Sequence, residues 1–421
     1  MNQFSIDDSA RPTCDPAEPV SSSHCASRSQ TVYLNMTYPL TSKPMPTQHD
    51  APGPVVFSLG IMAWNEELSL TQTLESLFQQ SVFEKLALRH ERCEIFCIAN
   101  GCTDRTAVLA EEIFERLMCE HPYAHTIATR VVDIVEPGRN NAWNCFVHEF
   151  SAPEARFIYL MDADIVFHHR DTLYNLLATL EHNPRACVSS GRQHKSIEFK
   201  KNKSLRDRLS LATSGMTGTL DGRFSGQLYC MRSEIARNLY LPRDLVANDD
   251  GFFKAAICTG FFNEPLDTRR VVTAPDAAHV YEAYLAVPEV LNNQKRQMIG
   301  QTLVYVLVEY LKTLPADERA HLADTLRQRE RSDPEWLRKL LDEHLVSVRY
   351  FWRLFPGVLT FRFRRLWKLK GLRKLTHFPA AVVGETVTLI ACARAFSFLK
   401  KGQSYYWPKA DRQAAVSAIK A

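Results

Sequence analysis

The sequence predicts an α/β fold: a doubly wound, mostly parallel sheet flanked by helices, followed by a helical C-terminal region. Three observations carry this expectation. From Val55 onward, short β-rich apolar runs alternate with amphipathic stretches such as "LSLTQTLESLFQQ", "TDRTAVLAEEIFERLM" and "DTLYNLLATLEHN", and such alternation builds βαβ units. The runs are nearly continuous in apolar residues, as strands covered on both faces require. Each of the first four also ends in a polar cluster, and sheets of this kind bind ligands beyond the carboxyl ends of their strands.

In chain order, strands are expected near Val55–Trp64, Glu94–Asn100, Thr126–Val135, Phe157–Met161 and Ala186–Ser190. A second region, about Lys195 to Gly260, opens with the basic stretch "KSIEFKKNKSLRDRLS", then gives a strand at "GQLYCMR" and a helix after "NDD". Beyond Pro288 the pattern is helical. These boundaries suggest a domain over 55–285, divided near 194, and a helical region over 286–421. Residues 1–54, rich in Ser, Pro and Thr, read as a tail without a core. They show no basic start followed by an apolar run, so no export signal is expected.

The chain of 421 residues carries a net charge of +4. Nine Lys or Arg and no acid fall between Arg349 and Thr376, so the remainder is net acidic and the basicity is local. Nucleic acid is therefore not an expected partner. The eleven cysteines mostly sit inside apolar runs, which indicates reduced thiols in a cytoplasmic protein rather than a disulfide framework. Cys93, Cys97 and Cys102 lack a second Cys or His pair at zinc spacing and read as core.

The polar strand ends are "AWNEE", "ANGCTDRT", "EPGRNNAWN" and "DAD". Asp162 and Asp164, two residues apart in an extended run, would share a face and repel each other without a cation. Mg²⁺ or Mn²⁺ suits two carboxylates and can bridge phosphate oxygens. Arg139 can pair with a phosphate, and the residues after it look like a helix start, where backbone N–H groups favour anions. Asn100 offers a donor and an acceptor to a base edge, while Asp104 caps a helix, orients a nucleotide, or both. In "VANDDGFFKA", a carboxylate at Asp250 or Asp249 could take a proton from an acceptor hydroxyl, with Asp250 preferred. Gly226, just before a strand, leaves room for close approach of a sugar or acceptor.

Together, "WNEE", "NGCTDRT", "GRNNAWN" and "DAD" resemble the nucleotide-sugar half of a family 2 glycosyltransferase of the GT-A type, over roughly Val55 to Arg270. The resemblance implies that the loop of Asn65, Glu66 and Glu67 and the strand end at Asn100 hold base and ribose. It implies Asp162 near ribose or metal, Asp164 on the metal, and the last acid of "NDD" as base. Asn100 stands where an acid is frequent, which leaves the base unsettled between uracil and guanine, and Arg139 where a lysine is frequent, which keeps the positive charge; a UDP-sugar donor is favoured, with a GDP-sugar open. His279 is a candidate third metal ligand, since some GT-A enzymes use a late histidine. One base without a nucleophilic carboxylate implies inversion.

Two alternatives use the same residues. A haloacid-dehalogenase-like phosphohydrolase also has a strand followed by D-x-D, but places it first in the domain. A non-catalytic nucleotide-sugar-binding scaffold would not require the candidate base. At the C-terminal end, "RYFWRLFPGVLTFRFRRLWKLKGLRKL" suits an anionic bilayer interface. The following "FPAAVVGETVTLIACARAFSFL" contains Glu385 and Arg394 and is not expected to span a membrane. A peripheral position at the cytosolic membrane face, with a lipid-linked or glycan acceptor, is the resulting expectation.

Overall fold

Apolar runs that face cover on both sides must lie inside a sheet, and the computed structural model places them there. It describes residues 53–204, 207, 211, 224–283, 286–345, 363, 366–367 and 373–401. Strands β1 (Val55–Ala63), β2 (Arg92–Asn100), β3 (Ile127–Ile134), β4 (Phe157–Asp162), β5 (Ile165–Phe167), β6 (Val188–Lys195), β7 (Leu228–Arg232) and β8 (Val271–Tyr281) form one sheet in the order β3-β2-β1-β4-β7-β6-β8-β5. The first four of that order run parallel, as does β6 with β8. Strand β7 is antiparallel to both its neighbours, and β5 is antiparallel to β8. The sheet is thus mixed but mostly parallel, as expected.

Alternate residues of each central strand enter opposite cores. Phe57, Leu59 and Ile61 of β1 join Ile95 and Cys97 of β2 and Tyr159 of β4 on one face, under α1 (Leu70–Phe78), α2 (Val82–Leu88), α3 (Thr106–Glu120) and α5 (Thr172–His182). Met62, Phe96, Ile98, Ile158 and Leu160 point to the other face. That face is covered by α4 (Arg139–Cys145), α6 (Ser233–Arg237), α7 (Asp249–Cys258) and the helices after the sheet. Cys93 and Cys97 are wholly buried in the first core, and burial pushes the Cys97 thiol up to about 12. They act as packing residues; the described cysteines are free thiols.

The expected strands appear with boundaries shifted by at most five residues, and those at Val55, Asn100 and Phe157 coincide. Two were not anticipated, β5 and β8. Strand β8 carries Pro275, and Asp276 adopts φ 52°, while its pairing to β6 slips between Ser190 and Arg192. A proline argues against a strand when read in sequence, but a bulge accommodates it.

The C-terminal helices share the second core. Along α8 (Val287–Thr313), Met298, Ile299, Leu303, Val304 and Leu307 are buried in the cluster that contains Met62 and Ile158. Helix α12 (Arg373–Lys400) packs on α8, through Ala391, Cys392, Ala395 and Leu399. Between them lie α9 (Ala316–Ala320), α10 (Leu322–Ser332) and α11 (Trp336–Leu345). Among the described residues, no helix is long and apolar enough to cross a membrane. Most of the basic-aromatic stretch and the tail expected over residues 1–54 lie outside the described residues, apart from positions 53 and 54.

Gly300 fixes α8 against the loop that precedes α7. A Cβ there would stand 2.7 Å from the backbone C and O of Ala247, a distance that forces movement. Gly300→Val is therefore expected to cost about 2 kcal/mol, read as a lower urea midpoint; an unchanged midpoint would show that the two segments do not press on each other.

Candidate functional site

Three loops at the carboxyl ends of β1, β2 and β3 are tied together by short polar side chains. Asn65, in the left-handed region at φ 53°, accepts from the Thr103 N–H at 2.7 Å through its Oδ1. The Glu66 N–H donates to Thr106 Oγ1 at 2.8 Å and the Glu67 N–H to Asp104 Oδ2 at 3.2 Å. Asp104 Oδ1 also accepts from the Thr106 N–H at 3.0 Å, satisfying the first amide of α3 from one residue before the cap position, Arg105, which makes no side-chain cap. Glu66 accepts from Ser69 Oγ at 2.5 Å, and Glu67 from the Arg105 N–H at 3.3 Å.

Asn100 is buried at the end of β2. Its Nδ2 donates to Ala63 O at 2.8 Å and its Oδ1 accepts from the Gly138 N–H at 3.1 Å. Both polar ends of the residue expected at a base edge thus connect the loops after β1 and β3. Gly101 follows at φ +62°, where a Cβ would stand 2.4 Å from Pro137 Cβ; only glycine permits both that φ and that approach.

Arg139, the first residue of α4, stands at the centre of the site. Its Nη1 donates to Asp162 Oδ1, its Nη2 to the Gly226 carbonyl at 2.9 Å and its Nε to Asp249 Oδ2 at 3.4 Å. One guanidinium therefore joins the end of β4, the loop before β7 and the start of α7. Burial alone would lower its pKa, but the carboxylates of Asp162 and Asp249 outweigh that and raise it. The planar fork explains why an arginine fits here: three acceptors in different directions match its fixed donors.

The rest of "RNNAWN" holds the loop that carries the acidic pair. Asn140 Nδ2 donates to Pro242 O at 2.8 Å and Leu245 O at 2.7 Å. Asn144 accepts from the Leu241 N–H at 3.0 Å and donates back to its carbonyl at 2.9 Å. Trp143 Nε1 donates to Tyr229 Oη at 2.8 Å beneath the site. These positioning roles were not drawn from the sequence. A side chain that bonds backbone a hundred residues away leaves no local periodicity, and the asparagine-rich motif was the only signal. Asn248 then turns the chain at φ 66° into α7, a conformation asparagine tolerates better than most residues.

Asp250 follows Asp249 in the first turn of α7. Its Oδ1 accepts from the Gly251 N–H at 2.9 Å, and a Cβ on Gly226 would stand 3.4 Å from its Cβ. Gly226 has neither a positive φ nor a steric conflict that demands glycine.

Asp162 and Asp164 are not on one strand, contrary to the period-two argument. Strand β4 ends at Asp162, and Ala163 and Asp164 form the turn into β5. Their charges still interact. Burial first, then Asp164 and Asp249, raise the Asp162 carboxyl to about 6, with Arg139 opposing the shift. The chemistry of this donor set fits a hard divalent cation, because it offers anionic oxygens whose mutual repulsion a cation would relieve. Among the described residues no three His, Cys, Asp or Glu side chains gather as a metal-binding group. The fit is thus to Mg²⁺ or Mn²⁺, which take one or two carboxylates and complete their shell with phosphate oxygens and water.

His279, on β8 opposite Phe167, is fully buried, with Nε2 3.3 Å from Gln227 Oε1. Burial lowers its pKa to about 3, so it is a neutral imidazole. Gln227 also accepts the Asp162 N–H at 2.9 Å through its backbone carbonyl, which places the histidine one residue behind the aspartates. The D-x-D stretch itself follows the fourth strand of the chain, at the centre of the sheet, whereas the phosphohydrolase alternative requires it after the first.

Residues 58–267 match the family model described as glycosyl transferase family 2. Similar solved structures include residues 1–349 of TarS from S. aureus, at 15% identity and a TM-score of 0.42, covering 84% of this chain and 94% of that one. Another is glucosyl-3-phosphoglycerate synthase from Mycobacterium tuberculosis with Mn²⁺, uridine-diphosphate-glucose and phosphoglyceric acid, at 14% identity and 0.39, covering 62% and 81%. No curated protein sequence matches the chain.

The raised pKa of Asp162 gives a pH signature. Its proton is bound more tightly in the folded than in the unfolded state, so its contribution to stability falls as pH rises from about 4 to about 6. In metal-free protein, urea midpoints of wild type and Asp162→Asn are expected to diverge across that window, the wild type declining relative to the variant. Parallel curves would mean that the carboxyl is not shifted upward.

Proposed function

The chain belongs, through residues 58–267, to glycosyl transferase family 2, and from that premise we propose that it moves a sugar from a nucleotide diphosphate to an acceptor hydroxyl, with inversion and with Asp250 as base. The observation that carries the assignment is the place of the acidic pair at the start of α7. Asp249 pairs with Arg139 at 3.4 Å, and Asp250 sits beside Gly226. A base must reach the acceptor proton, and the absence of a side chain at Gly226 leaves room for an acceptor to approach Asp250.

In this reading the laced loops of Asn65, Glu66, Glu67 and Asp104 form the wall for base and ribose. A UDP-sugar is the first donor to test and a GDP-sugar the second. Arg139 keeps a fixed positive charge next to Asp162, where the diphosphate would lie. Mg²⁺ or Mn²⁺ at Asp162 and Asp164 would supply charge for the departing diphosphate. The acceptor oxygen forms its bond to the anomeric carbon as the carbon–oxygen bond to the diphosphate breaks, and its proton passes to Asp250. The absence of a side chain at Gly226, required neither by backbone nor by packing, would let the sugar or the acceptor approach closely.

A lipid-linked or glycan acceptor at the cytosolic membrane face completes the proposal. Exposed Trp367, Phe378, Val382 and Ile390, near the basic-aromatic stretch, support a peripheral membrane position.

Asp164→Asn is expected to weaken Mn²⁺-dependent UDP binding about tenfold by calorimetry. Asp250→Asn should leave that binding intact and lower transfer by about 100-fold or more. Normal turnover in both would remove this mechanism. Gly226→Ala, whose methyl meets Asp250 at an ordinary contact distance, is expected to keep its melting temperature while kcat/KM falls; unaltered kinetics would mean that the space beside Asp250 is not used.

A further inference from the structure

Lys295 of α8 and Arg394 and Lys401 at the end of α12 share one cavity. The cavity measures about 380 Å³ and is lined by these three, Ala393, Ser397 and Phe398. Its described lining holds no carboxylate. Arg394, Ser397 and Lys401 follow one another at intervals of three and four residues, so they lie on one face of the helix end, and Lys295 closes the cavity from the neighbouring helix. The Lys295 ammonium stands 4.9 Å from the Phe398 ring centroid.

Like charges gathered around one small depression repel one another. That cost is visible at Lys295, whose pKa is lowered by burial and by the charge of Arg394. Lys295 is half-buried while Arg394, Ser397 and Lys401 are exposed, so the depression where the two helices meet is open to an anion from solvent. An anion with several oxygens would reverse the balance. Arginine presents two parallel N–H donors, lysines supply point charges, and a serine hydroxyl adds a neutral donor. Phosphate in either mono- or diester form has this chemistry, and the cavity can hold one such group beside the Phe398 ring.

We infer that the Lys295–Arg394–Lys401 cavity binds a phosphoryl anion, carried either by the headgroup of a membrane lipid or by a soluble phosphate. The site shares no side chain with the carboxylate cluster of Asp162, Asp164 and Asp250, so it stands or falls apart from the transferase reading.

The test uses the full chain in two arms. Calorimetry with inorganic phosphate, without divalent metal, measures the soluble source. Sedimentation with phosphatidylcholine vesicles containing phosphatidic acid, against phosphatidylcholine alone, measures the headgroup source. Arg394→Gln/Lys401→Gln is compared with Lys374→Gln/Lys400→Gln, which removes the same charge from α12 outside the cavity. The inference expects the cavity variant to weaken binding at least about tenfold in one arm, while the control stays within about threefold of wild type. An effect in the phosphate arm assigns the soluble source, and an effect in the vesicle arm alone assigns the headgroup. Absence of binding in both arms, or equal weakening by both variants, overturns the site. Circular dichroism and urea midpoints establish that each variant folds. Should the double variant not fold, Lys401→Gln alone, at an exposed residue past the helix end, is expected to weaken binding about threefold, and no change would overturn the inference.

Discussion

A single guanidinium holds the two halves of this site in register. Arg139 reaches Asp162 at the end of β4, the Gly226 carbonyl ahead of β7 and Asp249 at the start of α7. These three acceptors are far apart in sequence and belong to different layers of the fold. Two of them are carboxylates that would otherwise face each other and Asp164 across a half-buried space. Removing one partner of such an arrangement leaves uncompensated charge, which is more costly than the net gain from the intact pair. The bridge therefore acts as a constraint on where the acidic pair can lie as much as a source of stability.

Around that bridge the polar residues divide into those that build the site and those that face its contents. Asn100, Asn140 and Asn144 use both ends or both protons of their amides on backbone groups of distant segments. Buried amides of this kind are stable only when paired, and pairing them to backbone fixes the loops around the carboxylates. Asp104 does the same for the α3 start and the first loop. Asp164 and Asp250 sit at turn and helix-start positions flanking the bridge.

The C-terminal helices extend the second core rather than forming a detached layer. Residues from Met298 to Leu399 pack with Met62 and Ile158, and Gly300 touches the Ala247 backbone one residue ahead of Asn248. The loop before α7 is consequently held from α4 on one side and α8 on the other. The basic cavity at the α8–α12 contact lies on the same helix that braces this loop, so occupation of the cavity and the placement of the acidic pair share a mechanical element.

Much of this was legible before any coordinates. Continuous apolar runs require cover on both faces, which determined the parallel strands β1 to β4 and their helices, and polar residues at four successive strand ends have no use inside a core, which marked the site. The carboxylates and Arg139 stood out because their residue types are chemically costly where the pattern puts them. The sequence could not disclose β8, whose Pro275 and bulge interrupt the local signal, nor the turn that separates Asp164 from β4. It was equally silent on which acid of "NDD" Arg139 takes, and on the asparagines that tie α4 to residues 241–245. Those outcomes depend on pairings between segments a hundred residues apart. Local pattern reports which side chains must be buried or solvated; only the folded chain decides which partner satisfies each of them.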